Sequence, residues 1–507
     1  MAGKVWLVGA GPSDVGLMTI KGKQVLEQAE VVVYDALVGL GILALIPKEA
    51  ERINVGKRSG HHIMKQEDIN QVLVKKGLEG KRVVRLKGGD PFLFGRGGEE
   101  MEALKEHGVS CEVVPGVTSA ISVPAYNGIP VTHRDFTSSL HIITAHKRKG
   151  EAVDIDFISL VKLKGTLVFL MGVSALEDIC KGLMNAGMAE DTPAAILQQG
   201  TTARQRRVVA TVATLKEEAQ KENIQSPAVI VVGAVCALSE KLSWYEDMQL
   251  SGKRILITRP RHLISGMAQQ LREKGAEVLE VPAVSIEPVK DMGNFQKALE
   301  RLSEYTVLAF TSPSGVQVFF RQLKLAGTDI RKLAHLKVAA IGKGTAKELE
   351  ERGIFVDYMP EVYDAVSLGK LLCQQCSAED VIFLPRASSG NPKLVEEAVK
   401  SGARVVEVPM YDTVYEKENV IDLTEEIRQD AIDYAVFTSA STVKSFAELV
   451  DSCVYEKVQA VCIGKKTEEA ARSYGMKTFV SKEATIQSVV EKLEELAGNG
   501  NNANRKG

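Results

Sequence analysis

Short apolar runs alternate with amphipathic stretches along most of the chain. Two of those stretches, residues 69–76 and 99–106, carry apolar side chains at the spacing of a half-buried helix. The apolar runs have the length and the Val, Ile and Leu content of buried strands. In the first half of the chain they lie at residues 5–8, 31–34, 83–86, 167–170 and 229–232. This alternation predicts an α/β fold in which helices cover mixed or parallel sheets.

A polar, charged stretch interrupts this pattern near the middle of the chain. Residues 239–253 follow the last apolar run of the first half and precede another predicted strand at 254–258. This stretch predicts the main domain boundary near residue 248. The tail at 498–507 is rich in Asn and Gly, a composition typical of disorder. A chain of 507 residues has room for several compact units.

The second half contains an internal repeat, because four segments of a first copy return in the same order in a second. They are ITRP at 257–260 with FLPR at 383–386, GAEVLEVP at 275–282 with GARVVEVP at 402–409, AFTSPSGV at 309–316 with VFTSAST at 436–442, and AAIGKGT at 339–345 with VCIGKKT at 461–467. The period is too long for a solenoid, so it indicates duplication of one α/β lobe. Two similar lobes imply a cleft between them.

Composition and charge narrow the classes of function. Apolar residues make up 45% and charged residues 25% of the chain, the usual balance of a globular protein. With 63 Lys and Arg against 65 Asp and Glu, no basic field favours nucleic acid or an anionic membrane. No apolar stretch is long enough to cross a bilayer, the N-terminus lacks a signal-peptide pattern, and the seven scattered cysteines suit reduced thiols. We therefore expect a cytoplasmic protein with neither nucleic-acid nor membrane partners.

Three loops rich in Gly and Pro follow predicted strands in the first half. They are GAGPSD at 9–14, KGGDPFLFGRGG at 87–98 and VPGVTSAISVPAYNGIPVTHRD at 114–135. A dinucleotide fingerprint would need a third glycine where Asp14 stands, and no Lys-Ser/Thr pair follows the second loop as in a phosphate-binding loop. Each loop alone suits ordinary turn chemistry, but the three together indicate a ligand that lies directly on the backbone.

With these loops, the first half of the chain resembles uroporphyrinogen-III C-methyltransferase, of the tetrapyrrole methylase superfamily. The resemblance implies two α/β subdomains, about 1–115 and 116–248, around a cleft that binds S-adenosylmethionine. It also implies a homodimer formed through this half. The likeness continues through VVVYDALV at 31–38, VGKRSGHH at 55–62, TLVFLMGV at 166–173, TPAAILQQGT at 192–201 and SPAVIVVG at 226–233.

The resemblance implies roles for particular residues of this chain. The family's proton acceptor and proton donor fall on Asp35 and Lys57. Asp35 could instead cap a helix, and Lys57 could anchor a substrate carboxylate. The family's contacts to the cofactor fall on Pro12, Gly88, Gly89, Asp90, Leu93, Thr118, Ser119, Met171 and Gly200.

A few residues depart from the family pattern or suggest a different chemistry. Ser13 stands where the family has Gly, which removes a permissive backbone position from the first loop. His61 and His62 suggest a metal, yet no Cys or carboxylate stands at ligand spacing, so hydrogen bonding is favoured and no metal is expected. Cys373 and Cys376 form a lone CxxC, for which helix packing is the default role.

The second half resembles uroporphyrinogen-III synthase along residues 253–495, through the repeated segments together with EVPMYDT at 407–413. The resemblance implies a two-lobed α/β fold in which lobe 1 is residues 253–285 with 412–495 and lobe 2 is 286–408. Hydroxyl-rich turns after strands, with helix starts behind them, suit the binding of carboxylates. The predicted substrate contacts are Thr311, Ser312, Arg386, Thr438, Ser439 and Gly464.

Tyr411 is a further catalytic candidate. It lies in EVPMYDT where the first copy of the repeat has Val284. A difference at one matched position suggests that only one copy needs a particular side chain there. A phenol there could donate a proton or a hydrogen bond as the bilane substrate loses its hydroxyl group. A tyrosine at this position could equally be a packing residue.

Together the two resemblances imply a bifunctional enzyme of tetrapyrrole biosynthesis. It would cyclise hydroxymethylbilane to uroporphyrinogen III and methylate that product twice to precorrin-2, for sirohaem or cobalamin. One alternative is a methylase of a later corrin intermediate or of RNA. Another is a second half that binds tetrapyrroles without catalysis. Product masses and the isomer ratio distinguish these alternatives.

Overall fold

The computed structural model describes residues 3–56, 64–145, 154–258, 261–281, 284–415 and 420–504. The chain divides into two compact units. The first unit is Met1–Val281 with Glu418–Gly507, and the second unit is Pro282–Lys417. Both units are built of five-stranded sheets covered by helices, so the predicted α/β class is confirmed.

A fully parallel sheet forms the core of the first part of the chain. Its strands are β1 (Lys4–Gly9), β2 (Val31–Tyr34), β3 (Glu51–Asn54), β4 (Arg82–Lys87) and β5 (Ser110–Val114). They stand in the order β3-β2-β4-β1-β5. The inner strands are buried along most of their length because helices cover both faces of a parallel sheet. Those helices are α1 (Ile20–Leu26), α2 (Leu40–Leu43), α3 (Gln66–Leu78), α4 (Gly97–Glu106) and α5 (Ser119–Tyr126).

A second, mixed sheet follows in the same unit. Its strands are β6 (Leu140–Thr144), β7 (Thr166–Leu170), β8 (Pro193–Gln198), β9 (Arg206–Thr211) and β10 (Ala228–Val232). They stand in the order β6-β7-β10-β8-β9, and β10 is antiparallel to both of its neighbours. The helices of this part are α6 (Phe157–Leu163), α7 (Leu176–Asn185) and α8 (Leu215–Lys221). Leu176, Ile179 and Leu183 form the apolar face of α7 and are buried in the core of this sheet.

The second half of the chain contributes ten more strands and ten more helices in the described part. The strands are β11 (Arg254–Ile257), β12 (Glu277–Glu280), β13 (Val284–Pro288), β14 (Val307–Phe310), β15 (Lys337–Ala340), β16 (Val381–Ala387), β17 (Arg404–Tyr415), β18 (Tyr434–Phe437), β19 (Gln459–Cys462) and β20 (Lys477–Val480). The helices are α9 (Arg261–Glu273), α10 (Gly293–Glu300), α11 (Pro313–Leu325), α12 (Lys343–Glu350), α13 (Ala365–Gln375), α14 (Lys393–Ala398), α15 (Leu423–Arg428), α16 (Ala440–Leu449), α17 (Lys465–Ser473) and α18 (Ile486–Asn504).

These strands form two sheets, one in each compact unit. In the first unit, a parallel sheet has the order β12-β11-β18-β19-β20. In the second unit, the order is β13-β17-β16-β14-β15, with β13 antiparallel to β17 and the other pairs parallel. The predicted two-lobed α/β architecture of the second half is therefore confirmed.

The sequence repeat and the sheets divide the chain differently. The sheet of the first unit takes β11 and β12 from the first copy of the repeat and β18 and β19 from the second. The sheet of the second unit takes β14 and β15 from the first copy and β16 and β17 from the second. Matched segments occupy matched places, since β12-β11-β18-β19 in one sheet corresponds to β17-β16-β14-β15 in the other. Each sheet is thus assembled from both copies.

Helix α18 extends further than the composition of the tail predicts. The structure places helix over residues 498–504, where the Asn- and Gly-rich sequence predicted disorder. Val489, Val490 and Leu493 are fully buried, and a helix fixed by such packing continues at little cost beyond its packed part. Neither α18 nor any other helix in the described part is long and apolar enough to cross a membrane.

Candidate functional site

Three loops meet at the carboxyl edge of the first sheet, where β1, β4 and β5 end. Gly11 N donates to Gly89 O at 3.2 Å, and Gly89 N donates to Gly11 O at 2.8 Å, which ties the first loop to the second. The third loop is equally close, because a Cβ on Gly9 would lie 2.5 Å from Gly116 Cα. Only glycine permits this approach. The Gly-rich motifs therefore pack backbone against backbone.

Asp90 holds the second loop to the third. Its Oδ1 accepts hydrogen bonds from Phe92 N at 2.8 Å and Leu93 N at 3.1 Å, and its Oδ2 accepts one from Gly116 N at 3.0 Å. Both carboxylate oxygens are thus used by backbone amides. Thr118 lies next to this junction, since a Cβ on Gly89 would be 3.9 Å from Thr118 Cα.

Helix α5 and the turn at 199–205 complete this edge. Thr118 caps α5 by accepting a hydrogen bond from Ala120 N. Gly200 packs so tightly on the helix that a Cβ would lie 2.3 Å from Val123 Cγ1. Thr201 Oγ1 donates to Pro12 O at 2.8 Å, which joins the turn to the first loop. Sequence reasoning missed Thr201.

The structure brings most of the predicted cofactor residues to this one edge. Gly88 takes part by close packing, because its Cβ would lie 2.8 Å from Leu37 Cβ in the turn that follows β2. Met171 follows β7 with an exposed side chain and a φ of 56°, and it is outside the contacts described above. The residues gathered at the edge are Pro12, Gly88, Gly89, Asp90, Leu93, Thr118, Ser119 and Gly200.

Ser13 keeps a backbone conformation typical of glycine. Its φ is 117°, which is strained for a residue with a Cβ. Gly39 lies against it, because a Cβ on Gly39 would be 2.7 Å from Ser13 Cα. The neighbouring Asp14 accepts hydrogen bonds from Gly16 N and from Tyr126 Oη, each at 2.7 Å. These contacts fix the first loop in its shape although Ser13 carries a Cβ.

Asp35 lies in the turn after β2, beside the second loop. Its Oδ1 accepts a hydrogen bond from Leu37 N at 3.1 Å, as in a turn cap. Its Oδ2 lies 3.4 Å from Arg85 Nη2. Arg85 is almost fully buried, whereas the Asp35 side chain is 25% exposed. The Asp35 carboxylate is therefore held by Leu37 N and Arg85, and part of it is exposed to solvent.

A buried ion cluster lies behind Asp35, and sequence reasoning missed it. Arg85 Nε and Lys87 Nζ both donate to Glu100 Oε1, at 3.1 and 2.9 Å. Burial, together with the nearby charge of Arg85, lowers the pKa of the Lys87 ammonium. Glu100 Oε2 has no hydrogen-bond partner within the described residues. The signal was present in the sequence, because two cations on a buried strand require an anion nearby.

Lys57 lies outside the described residues, together with His61 and His62. The role of Lys57 as a proton donor therefore stays a prediction.

Thr438, Ser439 and Gly464 lie at the carboxyl ends of the neighbouring parallel strands β18 and β19. Ser439 caps α16, and its Oγ accepts a hydrogen bond from Thr442 N at 3.3 Å. Gly464 is the N-terminal cap of α17. Two helices thus begin at one edge of the sheet, and their first N–H groups suit an anionic group.

Thr311, Ser312 and Tyr411 lie together in the second unit. Ser312 follows β14 and caps α11, because its Oγ accepts a hydrogen bond from Gly315 N at 2.9 Å. The same Oγ lies 2.7 Å from Tyr411 Oη. The Tyr411 ring belongs to the apolar core of this unit, and burial raises the pKa of its phenol. Tyr411 is therefore a neutral hydrogen-bonding group held by Ser312.

Arg386 is buried at the end of β16 and is paired within its own unit. Its Nη2 lies 2.5 Å from Glu407 Oε2, and its Nη1 donates to Asn391 O at 2.8 Å. These contacts fix the Arg386 guanidinium within its unit, and its contact with a substrate stays a prediction.

Two family models match the chain in succession. Residues 4–216 match the tetrapyrrole (corrin/porphyrin) methylases, and residues 265–491 match uroporphyrinogen-III synthase HemD.

Curated relatives match one or both parts. The chain is 45% identical to the porphyrin biosynthesis protein HemD of Ruminiclostridium josui, over 98% of each chain. It is 41% identical to a uroporphyrinogen-III C-methyltransferase of Bacillus subtilis (strain 168), over 70% of this chain and 72% of that protein. Among solved structures, the uroporphyrin-III C-methyltransferase of Thermus thermophilus complexed with S-adenosyl homocysteine is 38% identical, with 46% of this chain and 99% of that chain covered and a TM-score of 0.40.

Proposed function

The chain belongs to the family of fused porphyrin biosynthesis proteins in which a tetrapyrrole methylase region precedes a uroporphyrinogen-III synthase region, and from that premise we propose its two reactions. The synthase region cyclises hydroxymethylbilane to uroporphyrinogen III. The methylase region transfers two methyl groups from S-adenosylmethionine to that product and yields precorrin-2. The observation that carries this proposal is the similarity to a fused relative along almost the whole of both chains.

The edge of the first sheet fits S-adenosylmethionine. Gly9, Gly89 and Gly116 bring the backbones of the three loops together at the ends of parallel strands, which is where open α/β sheets bind ligands. Both oxygens of Asp90 accept hydrogen bonds from backbone amides, so this carboxylate holds the second and third loops in the shape of the site. We propose that the cofactor is held by Pro12, Gly88, Gly89, Asp90, Leu93, Thr118, Ser119, Met171 and Gly200.

When bound, S-adenosylmethionine supplies an electrophilic methyl group that is bonded to its sulfonium sulfur. The sulfur loses its positive charge when the methyl group is transferred. The loops at this edge orient the reactants, and orientation supplies a large part of the rate in a displacement reaction. The many backbone contacts between Gly9, Gly11, Gly89 and Gly116 make that orientation rigid.

We assign Asp35 to proton acceptance. Methylation of a pyrrole carbon leaves a proton to be removed from the macrocycle, and a carboxylate within reach can accept it. Leu37 N holds Asp35 Oδ1, whereas Oδ2 has a single long contact to Arg85, so Oδ2 is the atom that receives the proton. Lys57 is the proposed proton donor.

In the synthase region, we propose that strand ends in each lobe bind the carboxylates of the substrate. Helix starts at Ser312, Ser439 and Gly464 supply N–H groups of the kind that stabilise anions. Tyr411 Oη gives its proton to the leaving hydroxyl group of the bilane, which departs as water, and the proton released from the pyrrole carbon at ring closure restores the phenol. The full set of proposed substrate contacts is Thr311, Ser312, Arg386, Thr438, Ser439 and Gly464.

The organisation of the chain is part of the same proposal. Residues 1–248 form the methylase domain and 253–495 the synthase domain, with 253–285 and 412–495 in lobe 1 and 286–408 in lobe 2. The protein forms a homodimer through the methylase domain and works in the cytoplasm. Sedimentation of the purified chain tests the dimer.

Incubation of the purified full chain with hydroxymethylbilane tests both reactions. Without S-adenosylmethionine we expect the type III isomer in excess of the type I isomer that forms spontaneously. With S-adenosylmethionine we expect a product heavier by two methylene groups. Only the type I isomer would show that the synthase region does not catalyse cyclisation. An unchanged mass would contradict the methylase assignment.

A further inference from the structure

The turn at 199–205, which carries the proposed cofactor residue Gly200, is hydrogen-bonded to the second half of the chain. Ala203 N donates to Glu277 Oε2 at 2.8 Å, and Glu277 is the first residue of β12. The Glu277 side chain is 15% exposed, and Arg254 Nε lies 3.1 Å from the same Oε2. The acceptor of the turn is therefore itself fixed by an ion pair.

A second contact lies next to the first. Arg204 Nη2 donates to Asp433 Oδ2 at 3.2 Å and to Asp430 O at 3.1 Å. Asp433 Oδ2 also accepts a hydrogen bond from Arg254 N at 2.8 Å. The two consecutive residues Ala203 and Arg204 are thus held by one charged group of atoms around Arg254.

Apolar packing accompanies these polar contacts. Leu40 and Ala44, which belong to α2 and its C-terminal cap, pack against the core cluster that contains Leu279 of β12. A cavity of about 40 Å³, within the first unit and between its methylase residues and lobe 1, is lined by Ser13, Thr201 and Glu277 among others. The turn is therefore part of a packed junction.

On its other side, the turn contacts the cofactor edge. Thr201 N donates to Gln205 Oε1 at 2.9 Å, and Thr201 Oγ1 donates to Pro12 O at 2.8 Å. Gln199 and Thr201 have φ values of 46° and 68°. Residues with a Cβ hold such values only where the surrounding structure fixes them. The contacts to Glu277 and Asp433 are part of that surrounding structure.

We propose that Glu277 is a positioning residue for the cofactor site of the methylase region. The carboxylate acts through Ala203 N, keeps the turn in its left-handed conformation, and thereby places Gly200 and the Thr201 contact to Pro12. Lobe 1 of the synthase region is consequently a structural element of the methylase site. This inference rests on the proposed function, because it takes the edge with Pro12 and Gly200 to be where S-adenosylmethionine binds.

The test uses the full chain and S-adenosylhomocysteine as the probe. Glu277→Ala should weaken binding of the probe by at least about tenfold in calorimetry, because a turn that samples other conformations binds in proportion to its competent fraction. Hydrogen exchange of residues 199–205 should become faster in the same variant. Glu277→Gln, which keeps an acceptor oxygen for Ala203 N, should restore most of the affinity. Glu280→Ala is the matched control, because Glu280 lies on the same strand and pairs with Arg272 of the same lobe.

The outcomes separate this inference from the proposed function. Failure of the unchanged protein to bind S-adenosylhomocysteine would contradict the cofactor site itself. Normal binding by both the unchanged protein and Glu277→Ala would overturn the positioning role. Weak binding with unchanged exchange at 199–205 would overturn it too. If Glu277→Ala does not fold, Arg204→Ala removes the neighbouring contact and should give a smaller loss of affinity with the same change in exchange.

Discussion

The hydroxyl of Tyr411 lies 2.7 Å from the hydroxyl of Ser312, at the N-terminal cap of α11. This contact joins the residue at which the two copies of the repeat diverge, on β17, to a predicted substrate contact that follows β14, two strands away in the same sheet. Burial raises the pKa of Tyr411, so the phenol is neutral near pH 7 and available as a donor. Ser312 is the group that orients it.

Tyr411→Phe should slow formation of the type III isomer at least several-fold, because it removes only the donor. Loss of one hydrogen bond should lower the free energy of unfolding by about 1 kcal/mol or less. The isomer ratio after reaction with hydroxymethylbilane and a thermal unfolding curve measure the two effects.

Tyr455→Phe is a suitable control for Tyr411→Phe. Tyr455 Oη donates to Ala447 O at 2.6 Å, before β19 begins, and thus away from the strand ends proposed to bind substrate. It should show a similar small loss of stability with a normal rate. A normal rate in folded Tyr411→Phe would return Tyr411 to a packing role.

Asp90→Ala should weaken S-adenosylhomocysteine binding by at least about tenfold, because three backbone amides of two loops lose a charged acceptor. Calorimetry of the full chain measures the change. Asp68→Ala, in the first turn of α3, is the comparison variant and should bind normally. Equal affinities in the two variants would remove Asp90 from the site.

Asp35→Ala should leave S-adenosylhomocysteine affinity within about twofold and lower methyl transfer by about 10²-fold or more, the usual contribution of a general base. The reason is that Asp35 is placed beside the second loop and is not part of its hydrogen bonds. Single-turnover assays with uroporphyrinogen III measure the transfer step. Turnover at the normal rate would assign Asp35 to capping its turn.

Ser13→Gly should raise the free energy of unfolding by about 1 kcal/mol, because glycine adopts a φ of 117° without strain. Ser367→Gly, in the first turn of α13, should have the opposite sign because glycine loses more backbone entropy than serine when it becomes helical. Denaturant unfolding of both variants measures the pair. A loss of stability in Ser13→Gly would show that the Ser13 side chain makes a compensating contact.

Cys236 and Cys462 should resist a thiol reagent at pH 8, whereas the exposed Cys453 should react at once. Burial raises the pKa of the Cys236 and Cys462 thiols to about 12, and the reactive thiolate forms only as pH approaches that value. Timed titration with a chromogenic disulfide measures how fast the buried and the exposed thiols react. All seven cysteines should react after denaturation, because all seven are free thiols. Rapid reaction of Cys236 in the folded protein would contradict its burial.

Much of the fold follows from local sequence patterns. The apolar run at 31–34 became β2 and the run at 229–232 lies within β10, because strand length and apolar content are properties of a few adjacent residues. The three Gly-rich loops also followed from their motifs, since close backbone contacts leave no choice of residue but glycine. The roles of the predicted site residues stay predictions. The geometry supports some of these roles more than others.

Only the tertiary structure decided which distant parts of the chain come together. The sequence shows a repeat, yet β11 pairs with β18, and Ile255 stands opposite Tyr434 across the two copies. Likewise, the two cations of β4 indicate that an anion lies nearby but not that it is Glu100, and no pattern in the sequence links Glu277 to Ala203. The physical reason is that periodicity specifies an element and its buried face, whereas the partner of that face is chosen by packing and charge pairing between residues far apart in the chain.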